Sequence, residues 1–238
     1  MKINTLIFTA TYNEAENISE LITQIFTNYN DVDMLIVDDN SPDETYKIVE
    51  KLSLINKNIV LKKRESKLGL NTAHIFGYEY ALQNKYEKFI TMDADLSHDP
   101  SEISKILDLL DNYDFVIGSR YMKGGISEMP PLRLFLSIVG NRFIKFILNL
   151  KNTEYTSSYR GFNIKKLGNF HFNAVKSNGY SFFMETIFLI NTLGFKILEF
   201  PIHFKNRKHG QSKIPKIEIF RTLFNVIKLF LKKTKIKH

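Results

Sequence analysis

Cysteine is absent from the 238 residues of this chain, which excludes disulfides, thiolate zinc sites and a cysteine nucleophile together. Long hydrophobic runs are missing as well, and no apolar stretch reaches the roughly 18 residues of a membrane-crossing helix. The opening "MKINTLIFTATYNE" has one lysine before a short apolar run and no small-residue cleavage pattern. It therefore reads as a first strand rather than a signal peptide, and the expected location is the cytoplasm. Two glycine signatures are also lacking: "SKLGLNTAHIFG" has no Gly-Lys-Ser/Thr, and no G-x-G-x-x-G follows the first strand. ATPase and dinucleotide-enzyme chemistry are set aside with them. No internal repeat or low-complexity stretch is found.

What is present describes a folded domain, since 44% of the residues are hydrophobic. β-forming runs alternate with helical periods: "INTLIFT", then Ile18, Leu21, Ile22, Ile25 and Phe26 at helical spacing, then "DMLIVDD", "NIVLKK", "KFITMD" and "DFVIGSR" with a helix between each pair. Such alternation predicts an α/β fold with a mostly parallel central sheet and helices on both faces. Ser41-Pro42-Asp43-Glu44 and Asp99-Pro100-Ser101-Glu102 each offer a cap, a proline and a glutamate in the order of a helix start. The formal charge of +8 is uneven: residues 205–238 hold eleven Lys or Arg against Glu218, a balance of +10 that leaves −2 for the rest. A basic tail fits an anionic membrane surface, nucleic acid or a solvated helix end.

In open α/β sheets ligands bind beyond the carboxyl ends of the strands. Polar signals gather there: Tyr12, Asn13 and Glu14 after the first strand, Asp38 and Asp39 after the second, Asp93 and Asp95 after "FITM". Single Asp or Asn residues after a strand are ordinary turn and cap residues, but three such loops converge on one edge. Carboxylates spaced as D-x-D offer hard oxygen ligands to Mg²⁺ or Mn²⁺, which can bridge a diphosphate. A calcium loop beginning at Asp93 fails, because His98 stands where the sharp turn needs glycine and Ser104 where a bidentate glutamate belongs.

In order along the chain, "TYNEAENI", "VDDNSPDET", "LGLNTAHIFGYEYA", "MDADLSHDP", "IGSRY", "YRGF", "GYSFFMET" and "FKNRKHGQSK" resemble the pattern of family 2 glycosyltransferases, over about residues 5–214. Within that family the pattern is most similar to the polyprenol-phosphate (dolichol-phosphate) mannosyltransferases. The resemblance implies a nucleotide-sugar-binding fold of the GT-A type, a divalent metal, and transfer of mannose from GDP-mannose to a polyprenyl phosphate with inversion at the sugar carbon. It implies donor-binding positions at Thr11, Tyr12, Glu14, Asp39, Asp93, Ala94, Asp95, Arg207 and Lys213, metal ligation by Asp93 and Asp95 with Ser97 as a third candidate, acceptor-phosphate contacts from Arg120, Arg133 and Ser137, and a supporting role for Glu185. Asp95, Arg120 and Arg133 are the residues expected to carry catalysis. The chain departs from the pattern at Ala10, where proline is usual, at Asn71, where glycine is usual, in "TSSYRGF", and in having Met129 as the nearest large residue to a missing tryptophan.

A lipid acceptor requires work at a membrane. In "PPLRLFLSIVGNRFIKFILNL" the polar residues Arg133, Ser137, Asn141 and Lys145 recur every four residues along a largely apolar helix, spanning 131–150. After a catalytic unit of 1–214, the tail 215–238 reads as a basic amphipathic helix, with positions 218, 221, 222, 225, 228 and 232 on its polar face and Ile217, Phe220, Leu223, Phe224, Ile227 and Leu231 on the other. The expected partners are the nucleotide sugar, the lipid phosphate, a membrane surface on its cytoplasmic side and, where anchoring is shared, a membrane-protein partner. Three competing readings remain: transfer of glucose or another sugar to the same lipid, transfer to a sugar hydroxyl, and nucleic-acid binding by the basic tail. The last ranks below the others, because the acid-rich strand ends would repel phosphates and no aromatic-basic binding sheet is evident.

Overall fold

The computed structural model describes residues 4–168, 170–207 and 217–236, with the side chains of the last segment described over 221–231. In β1 (Thr5–Thr11), Leu6 and Phe8 face one side of the sheet and Ile7 the other, and in β2 (Asp33–Asp38) Leu35 and Val37 oppose Met34 and Ile36. This is the two-residue period of a pleated strand, and because both sets are buried, both faces must be covered. On the Ile7 side lie α1 (Ala15–Asn28), α2 (Thr45–Ile55) and α4 (Ile103–Leu110). The Phe8 side is covered by α3 (Leu70–Gln83), α5 (Pro131–Leu148), the single turn α6 (Ile164–Leu167), α7 (Tyr180–Thr192) and α8 (Ile217–Ile236). Here α3 lies so close to β1 that a Cβ on Gly77 would meet the Phe8 ring at 2.5 Å, so only glycine fits.

The remaining strands are β3 (Ile59–Lys63), β4 (Lys88–Thr91), β5 (Phe115–Ser119), the short β6 (Ile126–Ser127), β7 (Arg160–Asn163), β8 (Ile197–Pro201) and β9 (His203–Phe204). Among the described residues, seven of the nine strands form one sheet in the order β3-β2-β1-β4-β7-β5-β8, and β6 pairs with β9 apart from it. Every neighbouring pair in the large sheet is parallel except those of β7, which runs antiparallel to both β4 and β5. The inversion matters for function. A reversed strand begins where its parallel neighbours end, so the segment leading into β7 arrives at the carboxyl edge of the sheet.

One local reading of the sequence needs correction. α2 begins at Thr45 rather than at Pro42, because Glu44 takes a left-handed φ of +62° and Ser41 is occupied elsewhere, donating to Asp38 Oδ2 at 2.6 Å. Asp43 does the capping instead, accepting from Thr45 N at 3.1 Å. The second start behaves as its residues suggest: Asp99 accepts from Ser101 N at 3.0 Å and Pro100 opens a 3-10 turn that leads into α4. In α8, Val226 and Leu229 turn into the core, with Thr222 and Asn225 of the side read as polar half-buried beside them. Leu223, Phe224, Ile227 and Leu231, drawn from the apolar side of the helix, are exposed, as is Phe230. The helix is apolar around most of its girth, so the stripe that meets α5 and α7 is not the one with the largest side chains.

Candidate active site

The site grows from the ends of β1, β2, β4 and β5. At the end of β2 two adjacent aspartates are used differently. Asp38 is fully buried and saturated, accepting from Thr11 Oγ1 at 2.8 Å, Ser41 N at 2.9 Å and Ser41 Oγ at 2.6 Å, so it pins the β1 and β2 ends together. Asp39 turns the other way, accepts from Gly69 N at 3.1 Å and pairs with Arg64 at 2.5 Å, which holds the loop before α3 against the site.

Beyond β4, the main-chain N–H of Asp93 donates to His98 Nδ1 at 3.1 Å. That bond makes Nδ1 an acceptor and leaves the proton of the neutral ring on Nε2, a buried atom with no hydrogen-bond partner among the described residues. Burial holds His98 below the usual histidine range, against the pull of the Asp93 and Asp95 carboxylates. The ring stacks on Tyr159 at 4.8 Å and meets Phe204 edge-on, which locks the turn that presents both aspartates. Asp93 accepts from Ser158 Oγ at 2.5 Å, and its side chain is 37% exposed. Asp95 accepts from Ser97 N at 3.1 Å and Ser97 Oγ at 2.5 Å on one oxygen and pairs with Arg207 at 2.8 Å on the other.

These residues bound a cavity of about 260 Å³ lined by Thr11, Tyr12, Glu14, Asp39, Asp93, Ala94, Asp95 and Arg207. All eight were singled out in the sequence. The wall also includes Lys67, Gly69, Leu70, Gly179 and Tyr180, which were not. Lys67 stands over the Tyr12 ring at 3.8 Å. Gly179 has φ +60° and ψ −141°, a backbone conformation open essentially to glycine, and it delivers the start of α7 to the cavity. Glu185 supports that wall from behind, accepting from Lys176 N at 3.0 Å and Ser177 N at 2.8 Å. Burial pushes the Tyr180 hydroxyl up to about 12, reinforced by Asp93 and opposed by Arg207, Arg133 and Arg120. All three arginines therefore lie within electrostatic reach of one side chain on the cavity wall. Lys213 lies outside the described residues.

The segment entering β7 ties the two halves of the site together, and in the sequence only the "YRGF" motif marks it. Glu154, fully buried, takes both sides of the Arg120 guanidinium at 2.7 and 2.8 Å and also accepts from Thr156 N and Ser157 N. Burial opposes the charge on Arg120, but Glu154 outweighs it and raises the guanidinium further. Glu199 on β8 accepts from the main chain of Thr153 and Glu154, and Asn141 on α5 accepts from Tyr155 N at 2.8 Å. Arg160 anchors the same segment through the carbonyls of Ser157, Tyr155 and Phe183; burial among these neutral partners lowers it to about 9. On α5, Ser137 shares a 2.6 Å hydrogen bond with Tyr121, and Arg133 is half-buried with no ion-pair partner among the described residues.

The donor set suits a hard divalent cation. Asp93 and Asp95 supply carboxylate oxygens, and no group of three or more His, Cys, Asp or Glu that could hold a metal occurs among the described residues. Such a pair leaves coordination positions for phosphate oxygens and water, the usual arrangement for Mg²⁺ or Mn²⁺ at a diphosphate. The Ser97 hydroxyl donates to Asp95 rather than lining the cavity, so it holds the Asp95 carboxylate in place.

Comparison with known proteins agrees with this architecture. The model for glycosyl transferase family 2 matches residues 6–170. A polyprenol monophosphomannose synthase of Mycolicibacterium smegmatis is 36% identical over 225 residues, covering 93% of this chain and 85% of that protein. An undecaprenyl-phosphate mannosyltransferase of Micrococcus luteus is 33% identical over 215 residues, covering 90% and 88%. Among solved structures, a mannosyltransferase of Pyrobaculum calidifontis in complex with GDP-Man and Mn²⁺ superposes with a TM-score of 0.58 at 16% identity, covering 99% of this chain and 65% of that one. Glucosyl-3-phosphoglycerate synthase of Mycobacterium tuberculosis, in complex with Mn²⁺, UDP and phosphoglyceric acid, gives 0.65 at 16% identity, covering 96% and 78%. At these identities the structural likeness is one of fold.

Proposed function

This chain belongs to glycosyltransferase family 2 and is a hexosyltransferase, and on that premise we propose that it moves mannose from GDP-mannose to a polyprenyl phosphate at a membrane surface, with a divalent metal and with inversion at the sugar carbon. The observation that carries this reading is the make-up of the acceptor side. Arg120 and Arg133 are the cations of that side, and the carboxylate that faces Arg120, Glu154, is buried and consumed by hydrogen bonds. A phosphate monoester is already anionic near neutral pH and needs no general base. A sugar hydroxyl would need a free carboxylate that this side does not present among the described residues.

Mechanistically, Tyr12, Glu14 and Asp39 receive the nucleoside at the β1 and β2 ends, and Asp93 and Asp95 hold the metal. A divalent cation held there would supply positive charge to offset the negative charge of the departing diphosphate. Arg207, already against Asp95, is placed to meet the same phosphates. Arg133 and Arg120 orient the acceptor phosphate for in-line attack, with Arg120 kept rigid by Glu154. Positioning and preorganised charge then supply the rate enhancement. The mannose-transferring relatives support the sugar, and the GDP-Man and Mn²⁺ of the Pyrobaculum complex support donor and metal.

No helix among the described residues is long and apolar enough to cross a membrane. Membrane work falls instead to α5 and α8, which pack side by side and leave Phe135, Val139 and Phe146 of one and Phe224, Ile227 and Leu231 of the other exposed. Such surfaces mark interaction sites, and the lipid acceptor names the partner. The reading is tested by offering a panel of labelled nucleotide sugars with a short polyprenyl phosphate or a sugar alcohol. Lipid-phase label from GDP-mannose is expected. Preference for another donor would reassign the sugar, and label on the alcohol would reassign the acceptor.

A further inference from the structure

Of the two aspartates at the end of β4, Asp95 has the less to offer a cation. Its side chain is 6% exposed, Oδ1 takes both the main-chain N–H and the hydroxyl of Ser97, and Oδ2 stands 2.8 Å from Arg207 Nε. Asp93 differs, since Oδ1 accepts from Ser158 Oγ and the side chain opens to the cavity. A divalent cation held by both carboxylates must therefore reach Asp95 through Oδ2, the oxygen that Arg207 occupies. A carboxylate oxygen has two lone pairs, so a second cation could approach beside the guanidinium. A Mg²⁺–oxygen bond is about 2.1 Å, and with the 2.8 Å contact it would leave the ion and Nε less than about 5 Å apart. Around a buried carboxylate, like charges at that separation repel more strongly than in water.

The main chain limits how far Arg207 can go. Lys205 N donates to the Ser97 carbonyl at 3.1 Å, Lys205 Nζ pairs with Asp99 at 2.7 Å, and Asn206 N donates to Glu128 Oε2 at 2.8 Å. The chain is thus fixed up to the residue before Arg207, and a guanidinium that leaves Asp95 stays on the wall of the donor cavity. A diphosphate bound at Asp93 and Asp95 would give it an anionic partner there, and phosphate oxygens suit the fork of a guanidinium.

We propose that Arg207 couples metal binding to donor binding: without a diphosphate it competes with the divalent cation for Asp95 Oδ2, and with one it moves to the phosphate oxygens and the competition ends. This rests on the metal and donor assignments of the proposed function and deepens them. Arg207 then weakens the hold on the metal in the protein alone and leaves it intact once a nucleoside diphosphate is in place. Because coupling between two ligands is reciprocal, the metal tightens the nucleotide by the same factor.

The full chain is tested by titration with Mn²⁺, read as loss of the free-ion electron paramagnetic resonance signal, without nucleotide and at GDP concentrations that saturate each variant. Arg207→Ala is expected to bind Mn²⁺ alone about fivefold more tightly than the wild type, and to come within about twofold of it when GDP is bound. Lys205→Gln removes an equal charge two residues away, from a side chain that pairs with Asp99 and not with Asp95, and is expected to change either affinity less than about twofold. Arg207→Ala binding Mn²⁺ alone no more tightly than the wild type would overturn the proposal. An equal gain in Lys205→Gln would reduce the effect to general charge and overturn it as well. Either result, with wild-type Mn²⁺ binding in GDP intact, would leave the metal and donor assignments standing. No Mn²⁺ binding by the wild type even with GDP would remove the metal assignment itself, and this inference with it.

Discussion

Asp93 and Asp95 do different work although one alanine separates them. Asp95 is held by Ser97 and Arg207, whereas Asp93 leans on Ser158 and opens to the cavity. Neither side chain caps a helix, so Asp95→Asn is expected to cut transfer by about 100- to 1,000-fold, the scale of losing one preorganised electrostatic group, while circular dichroism and thermal midpoint stay as in the wild type. Loss of fold instead would make Asp95 a structural residue. Arg133 and Arg207 should separate kinetically: Arg133→Ala raises KM for the lipid phosphate with GDP affinity retained, and Arg207→Ala weakens donor use first, as steady-state kinetics with each substrate varied will show. Much of this was legible because charged residues at strand ends stand out against apolar runs. The roles of Glu154, Glu199 and Ser158 were not, since their partners lie more than 30 residues away in sequence.

Among the elements, β7 explains most of what the sequence concealed. Its four residues are too few for periodicity to register, and only the paired structure shows it inserted antiparallel between β4 and β5. The parallel strands β1 to β5 and the helices from α1 to α4 were readable from alternation and helical spacing, apart from the start of α2, where Ser41 prefers Asp38 to the helix end; the parallel β8 was not. α8 shows the limit of amphipathic reasoning: with apolar residues on most of its circumference, the face that packs is chosen by α5 and α7. Leu229, 3% exposed, and Phe224, 68% exposed, therefore make a diagnostic pair. Leu229→Ala is expected to cost about 2 to 3 kcal/mol in urea unfolding. Phe224→Ala should leave stability within about 0.5 kcal/mol and weaken vesicle binding. The reverse pattern would mean that α8 packs by its other face.

At the scale of the whole molecule, stability and the proposed membrane attachment draw on opposite sides of the same helices. The core on the Phe8 side encloses His74 among Phe8, Phe182 and Phe183, and burial lowers its pKa to about 3. An unfolded chain binds this proton near 6.5, so between those values the unfolded state holds more protons and stability falls on acidification. The slope due to this group is at most about 1.4 kcal/mol per pH unit. Denaturant melts from pH 7 to pH 4 are expected to show that decline, and His74→Leu to flatten it; an unchanged slope in the variant would place the acid sensitivity elsewhere.

Transfer to a lipid phosphate at the Asp93 and Asp95 edge is tested most directly by one assay: labelled GDP-mannose and a short polyprenyl phosphate, incubated with the intact protein in Mn²⁺ or Mg²⁺ and in EDTA. The expected result is label in the organic phase with either or both metals and none in EDTA. Label in the organic phase that persists undiminished in EDTA, or no lipid-phase label while a sugar-hydroxyl acceptor is glycosylated, would contradict it.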